Sequence, residues 1–260
     1  MMSINIIFTN IYQSRPLRSF LNKRIMFITL YLLILVFFIS IPYIYVKKPI
    51  YIPIQGIING EFSYADIALF IEYYCIKLGV VLFSFSIISD EIKDVGRYIF
   101  VRLEKRSSWL IGKFIRLGMY AFIYWIILYM MYIISIYFGA SVDQIGIESV
   151  IMSFIINWLN SSLLLFAANA IAQFIDERLS LLFSISFFIL SDFIQFTSKG
   201  NVPWGLILPS TWGRYSVITQ YSNNTISVYL FILGIMFLNI ATIIAIIYIN
   251  CRLLKKNDIY

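Results

Sequence analysis

The stretch ISVYLFILGIMFLNIATIIAIIYIN, Ile226–Asn250, is 25 residues long and contains no charged side chain. The hydrocarbon core of a bilayer is about 30 Å thick, and a helix crosses it in about 20 residues. Lipid offers no hydrogen-bond partner to backbone N–H and C=O groups, so a single spanning segment has to be helical. This stretch therefore predicts a transmembrane helix and a membrane protein.

Five further apolar runs precede it and have spanning length: Ile25–Val46, Ile67–Ile88, Ile115–Phe138, Ile151–Gln173 and Ser180–Thr197. They are continuous, whereas the strands of a transmembrane barrel would alternate over about ten residues. The fold class predicted is all-α, a polytopic membrane protein with six transmembrane helices. We expect one domain over residues 1–260, made of an interfacial segment (1–24), a six-span bundle (25–250) and a tail (251–260).

The composition excludes several kinds of chemistry. The 260 residues are 61% hydrophobic and 13% charged, against about 45–50% and about 25% in soluble proteins. No histidine is present, which removes imidazole acid–base chemistry and His-based metal motifs. No GxxxxGK[ST] motif occurs, so ATP binding through a P-loop is not expected. We predict no enzymatic activity, metal site or cofactor in this chain, and free thiols at Cys75 and Cys251.

The distribution of Lys and Arg predicts the orientation of the spans. Fifteen of these residues fall before span one, between spans two and three, between spans four and five, and after span six, whereas four fall on the opposite side. By the positive-inside rule, both termini are cytoplasmic. The net charge of +7 then follows from topology and attraction to anionic lipid, without nucleic acid as a partner.

The N-terminal segment before span one mixes apolar residues with Asn, Gln and Arg. It is typical of a helix lying along the cytoplasmic membrane surface, bent near Pro16; a basic leader that merely fixes topology is the alternative. Span one is too long for the apolar part of a signal peptide and has no small-residue cleavage pattern after it, so we expect it to be retained.

The segment DEIKDVGRYIFVRLEKRSSWLIGKFIR, residues 90–116, is the only long cytoplasmic connection in this topology. It carries charges of both signs, and Ile92, Val95 and Ile99 recur at helical spacing, which favours a short amphipathic helix. The positive-inside rule alone accounts for the basic residues but not for the interspersed acids. We interpret the segment as a docking helix for a cytoplasmic partner, with a solvated connector as the alternative.

The same segment resembles the cytoplasmic connection between spans two and three of ABC-2-type transporter permeases. An acidic stretch leads to a glycine, an apolar patch, a small and basic turn, and a Gly-Lys pair before span three. The corresponding residues here are Asp90, Glu91 and Asp94, then Gly96, then Tyr98-Ile99-Phe100, then Lys105–Ser108, then Gly112-Lys113. The sequence departs from the pattern at Arg97, where the family has Thr, and lacks the proline of the turn.

The resemblance implies a permease subunit of an ATP-binding cassette exporter in a bacterial cytoplasmic membrane. Such permeases pair, as homodimers or heterodimers, with separately encoded ATPase subunits that bind ATP and Mg²⁺. The residues implied in coupling to the ATPase are Asp90, Glu91, Asp94, Gly96, Arg97, Tyr98, Ile99 and Arg102. The cargo implied is amphipathic or hydrophobic, a bacteriocin-like peptide or a lipid-linked molecule.

Several alternatives remain open at this stage. The sequence does not determine the direction of transport, the cargo, or the identity of the second permease subunit. A stand-alone membrane immunity or interaction protein, binding a toxin or partner without ATP, is the second interpretation. An intramembrane enzyme is disfavoured, because histidine is absent and Asp192 is the only aspartate at depth.

Polar residues inside the predicted spans are the remaining candidates for function. Glu72, Lys77 and Asp192 stand at membrane depth, where a charge costs about 2.5–3.5 kcal/mol. They either line a substrate path or snorkel and pair with neighbouring helices. Asn157 and Ser161 share a stripe of small and polar residues in span four, which predicts close helix packing or, alternatively, a path lining.

Overall fold

A computed structural model describes Phe27, residues 30–32, Ile34, residues 73–82, Ile88 and residues 106–137, 147–197, 209–213 and 225–256. Within these residues all regular structure is helical, as the sequence predicts. The helices are α1 (Tyr73–Leu82), α2 (Arg106–Tyr137), α3 (Ile147–Ile171), α4 (Glu177–Thr197) and α5 (Thr225–Lys256), with a 3-10 turn at Thr211–Gly213 between α4 and α5.

Three of these helices are long and apolar enough to cross a membrane, over Ser107–Ile134, Glu148–Ile171 and Tyr229–Leu253. They coincide with the predicted spans three, four and six. The predicted span five corresponds to α4, and α1 is the described part of span two; neither is among these three helices. The predicted surface helix and residues 90–105 of the cytoplasmic connection lie outside the described residues.

Helix α2 begins within the segment that resembles the permease connection. The small and basic turn predicted at Lys105–Ser108 is helical from Arg106 onward. A proline beyond the first turn would have removed a backbone donor and kinked the helix, but none is present in α2. The helix therefore runs without a break from Arg106 into the apolar span.

Helix α3 is at the centre of the described bundle, in contact with α2, α4, α5 and the 3-10 turn. The Ser180 hydroxyl donates to the Ala168 carbonyl, so the end of α3 and the start of α4 are neighbours. Tyr229 donates to Glu148, which brings together the first turns of α5 and α3. Cys251, near the end of α5, lies beside the Ser107 carbonyl at the start of α2. Successive helices from α2 to α5 are therefore antiparallel. Arg116, Arg178 and Arg252 lie toward the same end of the bundle.

Large apolar side chains cover the outside of the described bundle. Helix α5 presents most of its surface outward, and Phe237 is 71% exposed. Others exposed on α4 and α5 are Leu182, Phe183, Phe187, Leu190, Leu230, Leu233, Ile244 and Tyr248. A soluble monomer rarely exposes so continuous an apolar surface, whereas acyl chains cover it at no cost. This surface agrees with the membrane location predicted from composition.

Helix α1 is held against its neighbours by two tyrosines that approach it over a glycine. Tyr31, in the predicted span one, donates to the Cys75 carbonyl at 2.7 Å, and Tyr124 of α2 donates to the adjacent Ile76 carbonyl. A Cβ atom at Gly79 would lie 2.5 Å from the Tyr124 hydroxyl and 2.6 Å from Cε1 of Tyr31. Only glycine allows both rings to reach the backbone at this position, and we name this arrangement the tyrosine clasp.

We expect Gly79→Ala to destabilise the protein by about 1–3 kcal/mol, because the added methyl group overpacks the tyrosine clasp. The measurement is thermal unfolding in detergent. Gly234→Ala is the matched control, since a Cβ atom at that helical position meets nothing within 4 Å. Adding Tyr124→Phe to Gly79→Ala relieves part of the overlap and should restore part of the loss. Equal stability of the two single variants would contradict the described contact.

Candidate functional site

A buried lysine lies at the centre of the described interior. Lys77 of α1 is 1% exposed. Its Nζ donates to the Tyr73 hydroxyl at 2.9 Å and to the Ser210 carbonyl at 3.2 Å, and it lies 5.1 Å from the centre of the Tyr73 ring and 5.9 Å from that of Phe188. Among the described residues the ammonium group thus contacts neutral acceptors and aromatic faces, and both kinds of contact stabilise a cation.

Helices α3 and α4 contribute amide and hydroxyl groups to the same place. Nδ2 of Asn160 donates to the Pro209 carbonyl at 2.6 Å, and the hydroxyls of Ser191 and Ser210 share a hydrogen bond of 2.6 Å. Asn160 and Ser210 are both fully buried. We name Tyr73, Lys77, Asn160, Ser191 and Ser210 the polar cluster.

The segment 209–213 reaches the polar cluster deep inside the bundle. Asn160 stands near the midpoint of the spanning segment Glu148–Ile171, so Pro209 is bound at the middle of α3. Ser210, Trp212 and Gly213 are buried. Non-helical backbone at membrane depth is stable only where protein surrounds it or where it lines a cavity. The side chains of the polar cluster bind two of the carbonyls that this non-helical backbone exposes.

The backbone of the segment 209–213 lies very close to the polar cluster at Gly213. A Cβ atom at Gly213 would lie 2.5 Å from Oδ1 of Asn160 and 2.7 Å from Nζ of Lys77. Both atoms belong to side chains that are fully buried and have little room to move. Gly213 therefore provides the space that lets Lys77 and Asn160 meet the segment.

A second set of polar contacts joins α2 to α3 beside the cluster. Nε1 of Trp125 donates to the Ser161 hydroxyl at 3.0 Å, and the Tyr129 hydroxyl donates to that of Ser153 at 3.0 Å. Nδ2 of Asn157 donates to the Ser153 carbonyl one turn earlier. Aromatic rings of both helices pack edge to face around these bonds, as in the pair Tyr129–Phe154 at 5.3 Å.

The residues predicted for a substrate path fall into three groups. Lys77, Asn157 and Ser161 are buried in the interior. Lys77 therefore does not snorkel to an interface. The hydrogen bond between Trp125 and Ser161 shows close packing of α2 against α3. Asp192 is placed in α4, whose backbone alone is described there, and Glu72 lies outside the described residues. Whether any of them contacts a substrate remains a prediction.

The residues predicted to couple to an ATPase, between Asp90 and Arg102, also lie outside the described residues, and their role remains a prediction. The neighbouring Gly112-Lys113 pair is described. Lys113 is 8% exposed and its Nζ lies 5.2 Å from the centre of the Trp109 ring. Lys113 is therefore buried in the bundle near the start of α2.

Sequence reasoning did not identify Tyr73, Ser191, Ser210 or Gly213 as parts of one site. The stretch Pro209-Ser-Thr-Trp-Gly213 has the composition of a turn, and nothing in that composition distinguishes a surface turn from a buried one. Lys77 itself gave an indication, since a lysine in an apolar span requires acceptors beyond those of its own helix.

The polar cluster offers hydrogen-bond donors and acceptors and one ammonium group. Among the described residues, no group of three His, Cys, Asp or Glu side chains could hold a metal ion. These groups can bind the polar atoms of a polypeptide in an apolar interior.

Comparison of the chain with known protein families, with curated proteins and with solved structures yields no match.

We expect Ser161→Ala to destabilise the protein by about 0.6–1.5 kcal/mol, the range of single hydrogen bonds between transmembrane helices, because the indole N–H of Trp125 loses its acceptor. Ser162→Ala is the matched control: Ser162 is also buried, but its hydroxyl donates to the Trp158 carbonyl of its own helix. Thermal unfolding of a double-mutant cycle with Trp125→Phe measures the coupling. A coupling energy of zero would contradict the described bond.

Proposed function

We propose that the chain is the membrane-spanning permease subunit of an ATP-binding cassette exporter in a bacterial cell membrane. It moves an amphipathic or hydrophobic cargo, most simply a peptide, and separate ATPase subunits bound at residues 90–102 supply the energy. The supporting observation is helix α2, which continues the basic segment directly into the bundle interior.

Helix α2 has the form of a lever. It runs without interruption from Arg106 to Tyr137, about 48 Å at 1.5 Å per residue. Near its start Trp109 and Lys113 are buried, and further along Tyr124, Trp125 and Tyr129 bond to α1 and α3. An unbroken helix transmits a displacement at one end to the other, so closure of an ATPase at the preceding segment would move the contacts around the interior.

The interior also suits a transporter. An interior that served only to hold spanning helices together could be built from apolar and small residues. This chain instead buries Lys77 and several amides at the centre of the bundle, and polar groups at membrane depth most often mark substrate or ion pathways. The proposal accounts for the polar cluster, for the absence of a P-loop in the sequence and for the charged segment before α2 together.

The proposal includes the six-span topology with both termini in the cytoplasm. Arg116, Arg178 and Arg252 at one end of the described bundle support it, because they belong to three different parts of the chain. It also includes a second permease subunit, a copy of this chain or a paralogue, and transport outward.

Coupling to an ATPase can be tested directly. The tagged chain, purified from the membrane of its source cells, should carry a P-loop ATPase, identified by mass spectrometry. Glu91→Lys and Gly96→Trp should abolish that association, because they place a repulsive charge and a bulky ring on the docking surface. Glu177→Gln, at the other predicted cytoplasmic connection, should leave it intact.

Retention of the ATPase by both loop variants would contradict docking at residues 90–102. Absence of any ATPase from the wild-type preparation would contradict the exporter and favour the second interpretation, a membrane immunity or interaction protein that acts without ATP. Toxin protection by the chain expressed alone would then distinguish that interpretation.

The topology has its own test. We expect a reporter enzyme that works only in the cytoplasm to be active when it is fused after Tyr260. A cysteine in place of Asp143 should react with a membrane-impermeant maleimide added outside intact cells. A cysteine in place of Asp176, between α3 and α4, should stay unlabelled until the membrane is opened. Labelling of the Asp176 position from outside would reverse the proposed orientation.

A further inference from the structure

The segment 209–213 is held by contacts of the kind that hold a bound peptide. Its consecutive carbonyls, those of Pro209 and Ser210, each accept a hydrogen bond from a buried side chain, Asn160 for the first and Lys77 for the second. The side chain of Trp212 is 7% exposed and belongs to the main apolar cluster. Its last three residues form a 3-10 turn, and the two carbonyls before that turn are bound by side chains of other elements.

We propose that Lys77 and Asn160, beside Ser191, form a binding site for a peptide backbone, which the chain's own segment 209–213 occupies in this structure. The inference rests on the proposed function and names the class of cargo: a peptide that adopts a turn and carries an aromatic side chain. The resident segment competes with that cargo and closes the site until it is displaced.

The donors at this site recognise backbone rather than sequence. An ammonium group and a primary amide can bond to the carbonyls of any peptide, so the site tolerates varied cargo. Two features add selectivity. The apolar site of Trp212 accepts one large ring, and the position of Gly213 excludes a Cβ atom at the following residue. An aromatic residue followed by glycine is therefore the preferred pattern.

Oδ1 of Asn160 supports a site that another peptide can use. It is buried and has no hydrogen-bond partner among the described residues, although its Nδ2 is bonded to Pro209. A buried acceptor without a donor is costly. A peptide that presents an N–H group here would use this acceptor, which the resident segment does not.

Tethering makes the resident segment a strong competitor. A segment attached to the bundle has an effective concentration in the millimolar range, so a free peptide binds weakly until the segment is loosened. Trp212→Ala removes the apolar anchor of the segment but leaves Lys77, Asn160 and Ser191 in place. This variant should bind a peptide more tightly than the wild type does.

The probe is a fluorescein-labelled peptide of residues 208–214, LPSTWGR, titrated against the purified full chain in lipid nanodiscs. We expect Trp212→Ala to raise its affinity about tenfold, and Lys77→Met added to that variant to lower it by at least that factor, as for loss of a charged hydrogen bond. LPSTAGR and a scrambled peptide should bind more weakly than LPSTWGR.

Matched controls are present in the chain. Lys113→Met removes another buried lysine outside the cluster, and Asn169→Leu removes another buried asparagine of α3, whose Nδ2 bonds within its own helix. Added to Trp212→Ala, neither substitution should change the affinity for the peptide. Asn160→Leu, added in the same way, should lower that affinity. Equal effects of the cluster and control substitutions would overturn the proposal.

A second measurement does not depend on the stability of Trp212→Ala. Ser210→Cys, in a chain that also carries Cys75→Ser and Cys251→Ser, places a thiol at a fully buried position. It should react slowly with a small maleimide, and saturating LPSTWGR should accelerate the reaction by exposing it. Slow labelling that no concentration of peptide changes, together with no binding to Trp212→Ala, would overturn the proposal.

The outcome is separable from that of the exporter itself. Peptide binding is measured without an ATPase, so binding that depends on Lys77 supports the peptide site even if no ATPase associates with the chain. An ATPase that associates, with no peptide binding to any variant, would overturn the peptide site and leave the exporter standing.

Discussion

Inside a bilayer a polar group has to find its partner within the protein, because no water is available to replace one. The centre of this bundle is organised by that constraint. The ammonium group of Lys77 is matched by a phenol and a backbone carbonyl, and the non-helical carbonyls of the segment 209–213 are matched by Asn160 and Lys77. The two parts depend on each other. The segment 209–213 needs hydrogen-bond donors to stay at this depth, and Lys77 needs hydrogen-bond acceptors.

The same constraint connects the interior to the basic end of the bundle. Trp125 and Tyr129 bond to α3 because their polar atoms would otherwise be unsatisfied in the apolar interior. These bonds fix α2 against α3 beside the polar cluster. Helix α2 then extends back through Lys113 to Arg106, close in sequence to residues 90–102, the segment proposed to bind an ATPase. A single continuous helix thus runs from the interior to the residues that follow the proposed ATPase-binding segment.

The sequence predicts the helices better than it predicts the site. Long uncharged runs such as Ile226–Asn250 admit only one kind of structure in lipid, so spans three, four and six are recovered. The burial of Asn157 and Ser161 agrees with the close helix packing that is one of two predictions for span four. For Lys77 the sequence leaves a buried position and a snorkelling one open. The position of Pro209–Gly213 does not, because it depends on which distant groups meet in three dimensions. Hydropathy places this segment between two spans but contains no information about whether it folds back between helices.

The tyrosine clasp limits how α1 can move. Residues next to Gly79 in α1 are the large Leu78 and Val80, and turning the helix about its axis by one residue would bring one of them beneath the rings of Tyr31 and Tyr124. Neither ring leaves space for such a side chain. Rotation of α1 about its own axis is therefore sterically blocked while the tyrosine clasp is intact. Any conformational cycle that displaces Lys77 must tilt or slide α1 together with the parts of the chain that carry both tyrosines.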